Sequence, residues 1–290
     1  VRAAGRIGRA EIARMSGLST QAVSNIIADL QADGLLIERG KISQGRGLPA
    51  VQYALNPAGG YALGVEIRPD VAFLAVLDLT GGPIISQRLP LQNSDPAAVT
   101  QQICDARDAV LSDTGIAANK LLGAGIVMPG PFGQTGLAEL KSELPTWRDI
   151  NPKAWFETAL DLPVQIENDA NAAAMSERIS GVARDLHSYA YLYFGAGLGL
   201  GIIASGRIFH GAFGNAGEIG HIPLQSTNGA PLESCVSRFS AQLALERCGL
   251  GASSGEDLSS IYAGRHPAIM TWLDQAAPPL GEAIAMVENL

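Results

Sequence analysis

The stretch from Tyr189 to Ala204 constrains the fold most, because glycine occupies every second position in its middle. It begins with a β-prone run, residues 189–194, and resumes as a strand at residues 202–204. The glycines between the two runs are Gly195, Gly197, Gly199 and Gly201. Because glycine has no Cβ, backbone amides in such a loop can close around a phosphate or a sugar. The spacing differs from the dinucleotide-binding fingerprint, because no glycine stands at its last position.

A second glycine-rich segment, residues 210–221, follows this hairpin and contains Glu218 and His221. A carboxylate and an imidazole three residues apart in a glycine-rich loop predict a polar binding site. The alternative is a hairpin with a solvated loop and no ligand.

The composition argues against a disordered chain and against a membrane protein. Of the 290 residues, 47% are hydrophobic and 17% are charged, which allows a large core in two or three domains. No uninterrupted apolar run approaches the ~18 residues that a membrane span needs. We expect no signal peptide, and three cysteines without paired metal spacing predict no disulfides and a cytoplasmic location.

The charge is distributed unevenly along the chain. The net charge is −8, yet residues 1–60 contain seven Lys or Arg and four acidic residues. A basic first segment on an acidic remainder predicts a nucleic-acid-binding module joined to a domain that does not touch nucleic acid.

Two predicted helices in the first segment form a helix-turn-helix pattern. The first spans residues 7–15, and the second begins at Ser19, which can cap it, and ends at Gly34. Apolar residues recur along the second helix at spacings of three and four. Short amides and hydroxyls near its start are suited to base edges in the major groove, so the predicted DNA-binding residues here are Ser19, Gln21, Ser24 and Asn25.

A predicted β-hairpin follows the two helices. Its strands, residues 35–39 and 51–55, flank a wing that carries Lys41 and Arg46. Arg46 stands between two glycines, a placement suited to phosphate or to a narrow minor groove. We therefore predict a winged helix-turn-helix DNA-binding domain over residues 1–57; the alternative is a module for dimerisation or docking.

Residues 56–60 are predicted to form a hinge, after which a second domain spans residues 58–290. Strands alternate with helices there, which predicts a mixed α/β sheet. The predicted strands are residues 61–67, 71–78, 84–89, 121–128, 164–167 and 189–194, and the predicted helices are 95–113, 152–160 and 170–179. Because the strand meander at residue 61 recurs at residue 189, we expect a duplicated, two-lobed domain with a ligand in its cleft.

Glu167-Asn168-Asp169 lies where a predicted strand gives way to a helix. Asp169 could accept a proton from a bound hydroxyl while Asn168 donates a hydrogen bond beside it. The alternative is that Asn168 or Asp169 only caps the helix.

Taken together, these segments resemble the ROK family of repressors, open reading frames and sugar kinases, and specifically its repressor branch. The resemblance covers nearly the whole chain. It is carried by the predicted winged helix, Trp147, and the segments Met128-Pro129-Gly130-Pro131, residues 162–172, residues 195–201 and Ala216-Gly217-Glu218-Ile219-Gly220-His221. It implies an actin-like, ribonuclease-H-like, two-lobed α/β fold. It also implies that sugar hydroxyls are held by Asn168, Asp169, Glu218 and His221.

One departure from the family pattern concerns ATP. Family kinases follow the first strand with an aspartate and Gly-Gly-Thr around the ATP phosphate, whereas this chain has Glu66-Ile67-Arg68-Pro69-Asp70. Proline lacks an amide donor and Asp70 adds negative charge, so phosphoryl transfer is expected to be lost. Asp169, the general base in family kinases, is then vestigial, and Gly195, Gly197 and Gly199 are the remnant of a phosphate loop.

A second departure concerns zinc. Family members usually follow the histidine equivalent to His221 with a Cys-x-Cys-Gly-x-x-Gly-Cys run that binds zinc. Residues 222–232 contain no cysteine and Cys235 is out of register, so we predict no zinc and no other cofactor. The glutamate that ends this motif in the family contacts sugar, which makes Glu233 a fifth predicted sugar-binding residue.

The resemblance therefore predicts a sugar-responsive regulator that binds operator DNA and a monosaccharide or sugar phosphate without phosphorylating it. The alternatives are an active ATP-dependent sugar kinase with a DNA-binding arm and a regulator controlled by a protein partner. A homodimer or homotetramer is expected, because one winged helix covers only half of a symmetric operator. Family members continue beyond residue 290, so a C-terminal part is expected to be missing.

Overall fold

A computed structural model describes residues 1–2, 4–42, 49–130, 144–195, 197–251 and 255–289. The chain divides into two compact units. The first contains Val1–Pro129 and residues 144–167, and the second contains Gly130 and residues 168–289. The predicted boundary at residue 57 falls inside the first unit and stays a prediction.

The first unit begins with two helices and a three-stranded antiparallel sheet. The elements are β1 (Ile7–Gly8), α1 (Arg9–Ser16), α2 (Thr20–Ala32), β2 (Leu36–Ile42) and β3 (Ala50–Leu55). The strand order is β1-β3-β2, with Ile7 opposite Tyr53. The prediction that the first helix starts at residue 7 was wrong by two residues, because Ile7 and Gly8 pair with β3 instead.

Helix α2 has a defined start and a buried face. The Ser19 hydroxyl accepts a hydrogen bond from the Ala22 amide at 3.2 Å, which satisfies a free amide of the first turn. Val23 and Ile27, one turn apart, are buried. They pack with Ala13, Leu36 and Tyr53 in a small core of their own.

Segment 56–60, predicted to be a hinge, is instead a tightly bonded turn. Asn56 Nδ2 donates to the Gly34 carbonyl at 2.7 Å, and the Asn56 amide donates to Leu35 O at 2.9 Å. Gly59 is buried, and a Cβ there would lie 2.7 Å from the Gly34 oxygen. The Leu79 amide also donates to Pro57 O at 3.3 Å. The segment therefore binds the end of α2 to the sheet that follows.

That sheet has five strands, and two helices lie between its strands along the chain. The elements are β4 (Tyr61–Ile67), β5 (Val71–Asp78), β6 (Pro83–Pro90), α3 (Pro96–Thr114), β7 (Leu121–Val127), α4 (Pro152–Leu160) and β8 (Val164–Glu167). The strand order is β6-β5-β4-β7-β8. Strands β4, β5 and β6 form an antiparallel meander, whereas β7 and β8 run parallel to β4. The predicted mixed sheet is confirmed.

The second unit repeats the antiparallel meander and adds helices. Its elements are α5 (Asp169–Ser180), β9 (Tyr189–Phe194), β10 (Leu198–Ala204), β11 (Arg207–Ile208), α6 (Arg238–Glu246), α7 (Gly255–Ala263) and α8 (Pro267–Glu288). The strand order β11-β10-β9 matches the predicted second meander. Its core joins Leu198 and Leu200 of β10 to Ala276 and Ala283 of α8.

Helix α8 is the longest helix in the part of the chain that the structure describes, and it contains Pro278 and Pro279. Within that part, no helix combines the length and the apolar character that crossing a membrane requires.

Candidate functional site

The central feature of the second unit is an imidazole held between two carboxylates. His221 Nε2 lies 3.5 Å from Glu218 Oε2, and His221 Nδ1 lies 3.3 Å from Glu233 Oε1. Glu218 and His221 come from one 3-10 turn, and Glu233 comes from another at Leu232–Ser234. The structure therefore brings together three of the five predicted sugar-binding residues.

The pKa values of all three groups are shifted from their ordinary values. The hydrogen bond with Glu233 raises the pKa of His221, and the same bond lowers the pKa of Glu233. Burial raises the pKa of Glu218, against the attraction of His221. Glu233 and His221 therefore favour their charged forms, whereas Glu218 holds a proton more readily than a solvated glutamate. A protonated Glu218 can donate a hydrogen bond as well as accept one.

Asn168 and Asp169 lie at the start of α5 and belong to the same unit. Asn168 Oδ1 accepts the Asn171 amide at 2.8 Å, so the capping interpretation of Asn168 is confirmed. Asp169 is the first helical residue, where a negative charge is stabilised by the helix dipole. Its charge also contributes to the raised pKa of Glu218, which places the two carboxylates within electrostatic reach. Their role towards a ligand stays a prediction.

Gly130, named above only in a segment that carries the family resemblance and not as a ligand residue, also lies at the site. A Cβ at Gly130 would lie 3.2 Å from Glu218 Oε1 and 3.8 Å from the Asn168 Cβ. The backbone of Gly130 therefore lies against two of the predicted ligand residues. Its signal in the sequence is the isolated glycine between Pro129 and Pro131, although residues 131–143 lie outside the described part of the chain.

The alternating glycines lie partly in a strand, which corrects the prediction that they form one loop. Gly199 belongs to β10 and pairs with Tyr193. A Cβ at Gly199 would lie 2.8 Å from the Cβ of Ala170, and a Cβ at Gly201 would meet the Ala170 backbone. These two glycines therefore allow α5 to pack closely on β10.

Gly195 and Gly197 remain in the connection between β9 and β10, where the Gly195 amide donates to Gly197 O at 3.1 Å. A Cβ at Gly197 would lie 2.7 Å from Glu233 Oε2. Ala196, between them, lies outside the described residues. Gly197 is thus adjacent to the carboxylate cluster, and its predicted contact with phosphate stays a prediction.

The residues around His221 do not fit the zinc site found in family members. Both imidazole nitrogens face carboxylates, and Cys235 packs beside the hydrophobic core of the second unit. Within the described ranges, no group of three His, Cys, Asp or Glu side chains is arranged to hold a metal ion. A structural zinc needs four ligands in a tetrahedron. The predicted absence of zinc in the protein awaits elemental analysis.

The predicted DNA-binding side chains in and before α2 differ in their hydrogen-bond partners. Gln21 Nε2 donates to Asn25 Oδ1 at 3.0 Å, and both side chains are exposed. Ser19 caps the helix, as described above. Ser24 is half-buried, and its hydroxyl donates to Thr20 O at 2.8 Å. Gln21 and Asn25 are therefore presented outward as a pair, whereas Ser24 is turned towards its own module.

Two basic residues, Lys41 and Arg46, were predicted in the wing. Lys41 is exposed on β2. Arg46 lies outside the described residues. A basic residue that the sequence analysis did not select is Arg9, which contacts both Ser24 and Tyr53.

The fold and the carboxylate–imidazole site agree with the family resemblance. The sequence model of the ROK family matches residues 62–290. The chain belongs to the ROK family.

Two curated relatives of this chain have different names, one a repressor and the other a kinase. The chain is 29% identical over 232 residues to a xylose repressor of Bacillus spizizenii, covering 80% of this chain and 60% of the repressor. It is 30% identical over 251 residues to a glucokinase of Halalkalibacterium halodurans, covering 78% of this chain and 76% of the glucokinase. The chain thus spans about 60% of the length of the repressor that it matches.

One solved structure has a similar fold over nearly the whole chain. It is a ROK family transcriptional regulator described as a homologue of the E. coli MLC protein. The match has a TM-score of 0.73 with 23% sequence identity, and it covers 97% of this chain and 76% of the other. At this identity the similarity shows the shared fold.

Proposed function

We propose that the protein is a sugar-responsive transcription regulator of the repressor branch. Residues 1–57 form a winged helix-turn-helix that binds operator DNA, and residues 58–290 bind a monosaccharide or a sugar phosphate without phosphorylating it. The observation that carries the proposal is the module of two helices and a hairpin that precedes the ROK domain.

The geometry of the N-terminal module supports DNA binding. Three residues, Gly17-Leu18-Ser19, separate α1 from α2, and Gly17 has a left-handed backbone (φ 72°). A turn of this length with glycine is typical of a helix-turn-helix. The hairpin of β2 and β3 supplies the wing, and the xylose repressors among the relatives are named for repression. By analogy with symmetric operators, we propose a dimer as the DNA-binding form.

The chemistry of the second unit supports sugar binding. Asn168, Asp169, Glu218, His221 and Glu233 offer amide, carboxylate and imidazole groups, which pair with hydroxyls as donors and acceptors. Glu218 and His221 keep only 19% and 21% of their side-chain surface exposed. Hydrogen bonds in such a partly desolvated site contribute more than they would in water.

The turn between β4 and β5 supports the loss of phosphoryl transfer. The Arg68 amide donates to Val71 O at 2.9 Å, which closes a short turn over Pro69 and Asp70. Arg68 also forms an ion pair with Glu66 at 2.6 Å. A tight turn that contains proline offers few amides to a phosphate.

A sugar kinase is the second candidate, because a glucokinase is among the relatives and Asp169 is retained. The two candidates differ in one observable property. The kinase should consume ATP in the presence of its sugar, and Asp169→Asn should abolish that turnover. The regulator should bind sugar and leave ATP intact.

Calorimetry with a panel of monosaccharides and their phosphates tests the proposal directly. Once a ligand is found, we expect Asp169→Asn and Glu218→Gln each to weaken its binding by about 1–3 kcal/mol, because buried hydroxyls lose matched partners. DNA affinity without sugar should not change. Asp185→Asn, an exposed acid of the same unit, is the matched control.

Three outcomes would count against the proposal. Sugar-dependent ATP consumption by the unmodified protein would establish the kinase instead. Unchanged sugar affinity in both site variants, with lowered thermal stability, would assign Asp169 and Glu218 a purely structural role. Failure of the full chain to retard any duplex DNA, tested as a dimer at low salt, would remove the DNA-binding function.

A further inference from the structure

We propose that Arg9 is a phosphate-contacting residue of the DNA-binding module, and that Tyr53 and Ser24 fix the direction of its guanidinium. The proposal rests on the DNA-binding function proposed above. It adds a residue and a supporting pair that the helix-turn-helix pattern alone does not indicate.

Arg9 joins all three parts of the N-terminal module. It is the first residue of α1. Its Nη2 donates a hydrogen bond to the Tyr53 hydroxyl of β3 at 2.9 Å, and its Nη1 donates one to Ser24 Oγ of α2 at 3.3 Å. The guanidinium carbon also lies 5.8 Å from the centroid of the Tyr53 ring, within cation–π range. Tyr53 is 2% exposed, so the anchor is a rigid part of the core.

The two hydrogen bonds leave most of the guanidinium available. An arginine has five N–H donors in a planar fork, and these contacts use two of them. Arg9 as a whole is exposed. An exposed cation with its orientation fixed and three donors left is preorganised for a phosphate oxygen, since less side-chain freedom is lost on binding.

The position of Arg9 favours a role in binding over a role in helix stability. A positive charge in the first turn is opposed by the helix dipole, which favours acids there. In a helix-turn-helix the first helix crosses the DNA backbone while the second enters the major groove. Arg9 lies at the start of the first helix and touches the second, so it stands where a phosphate is expected.

Ser24 then acts as a positioning residue. Its hydroxyl hydrogen is donated to Thr20 O, and one lone pair accepts from Arg9. Base recognition is left to the exposed pair Gln21 and Asn25, described above. Arg9 and Ser24 together set the distance between the phosphate contact and the Gln21–Asn25 pair.

Salt dependence distinguishes a phosphate contact from a structural role. Fluorescence anisotropy of the full chain with a labelled mixed-sequence duplex of about 30 base pairs, over roughly 50–200 mM KCl, gives the slope of log affinity against log salt. Each phosphate contact contributes about 0.9 to that slope. We expect Arg9→Met to reduce its magnitude by about 0.9 and to weaken binding about eightfold at about 0.1 M salt.

The controls separate charge, orientation and fold. Arg184→Met removes an exposed arginine from the other unit and should leave the slope unchanged. Arg9→Lys keeps the charge and should keep the slope. Tyr53→Phe keeps the charge but removes the hydroxyl anchor, so affinity should fall while the slope stays near that of the unmodified protein.

The inference fails if the unmodified protein binds the duplex and Arg9→Met and Arg9→Lys have the same slope as each other. Because that comparison is between two variants at one position, a loss of stability common to both does not obscure it. If the unmodified protein does not bind the duplex, the proposed DNA-binding function fails and Arg9 loses its role with it.

Discussion

Replacing Gly199 by alanine tests whether this glycine serves packing or phosphate binding. The added Cβ would lie 2.8 Å from the Cβ of Ala170 in α5. Carbon atoms in contact prefer about 3.5–4.0 Å, so α5 would have to move by about 1 Å. We therefore expect the substitution to destabilise the second unit, whatever the ligand.

The magnitude follows from the cost of overpacking. Forcing an extra methyl group into a close-packed contact costs about 1–3 kcal/mol. For a unit of this size, each kcal/mol lowers the melting temperature by about 2–4 °C. Gly199→Ala should thus lower the melting temperature by about 2–12 °C. Gly201→Ala should cost more, because its Cβ would meet the backbone of Ala170, which cannot rotate away.

Differential scanning calorimetry without ligand provides the measurement, and Gly281→Ala provides the control. Gly281 lies in α8 of the same unit, is exposed, and would have no atom within 4 Å of an added Cβ. In a helix this change should stabilise by about 0.5–1 kcal/mol. The two alanines should therefore shift the transition in opposite directions. An unchanged transition in Gly199→Ala, together with lost binding of a phosphate ligand, would refute the packing argument and restore the phosphate-loop hypothesis.

Three further predictions concern His221. Glu233→Gln should lower the pKa of His221 in an NMR titration, because the hydrogen bond to Glu233 is the largest cause of its raised pKa. An unchanged His221 pKa in this variant would contradict the geometry. The free energy of unfolding that the His221–Glu233 pair contributes should be lost as pH rises through the raised pKa of His221. It should also be lost as pH falls through the lowered pKa of Glu233, so this contribution is greatest between the two pKa values. Elemental analysis of the purified protein should find no stoichiometric zinc; one zinc per chain would require ligands other than His221 with its two carboxylate neighbours.

Local signals in the sequence were sufficient for most elements of the fold. The helix at Pro152–Leu160 begins with an Asn151 cap and a proline in its first turn, and its predicted bounds are confirmed. The strands Val164–Glu167 and Tyr189–Phe194 are confirmed as well. Each of these signals lies within a few neighbouring residues, so it can be recognised in a single sequence.

Features that depend on distant residues were predicted less well. The role of Gly199 depends on Ala170, which packs against it from another element. The contact of Arg9 with Tyr53 joins residues 44 positions apart, and nothing in either local sequence announces it. The polar site at Glu218 and His221 was predicted from their spacing of three residues within one turn, whereas Glu233, in another turn, was added by the family resemblance.

Segment 56–60 has a mechanical consequence for the DNA-binding module. Its bonds from Asn56 to Gly34 hold the last turn of α2, while Pro57 is bonded to Leu79 at the end of β5. Helix α2 has 13 residues and is therefore about 20 Å long. A rotation of about 5° at Gly34 would swing the first turn of α2 by about 1.7 Å, more than a hydrogen bond to a base edge tolerates. Because these hydrogen bonds tie the end of α2 to the end of β5, a small tilt at the end of β5 would produce a larger displacement in the N-terminal half of α2, which carries Gln21 and Asn25.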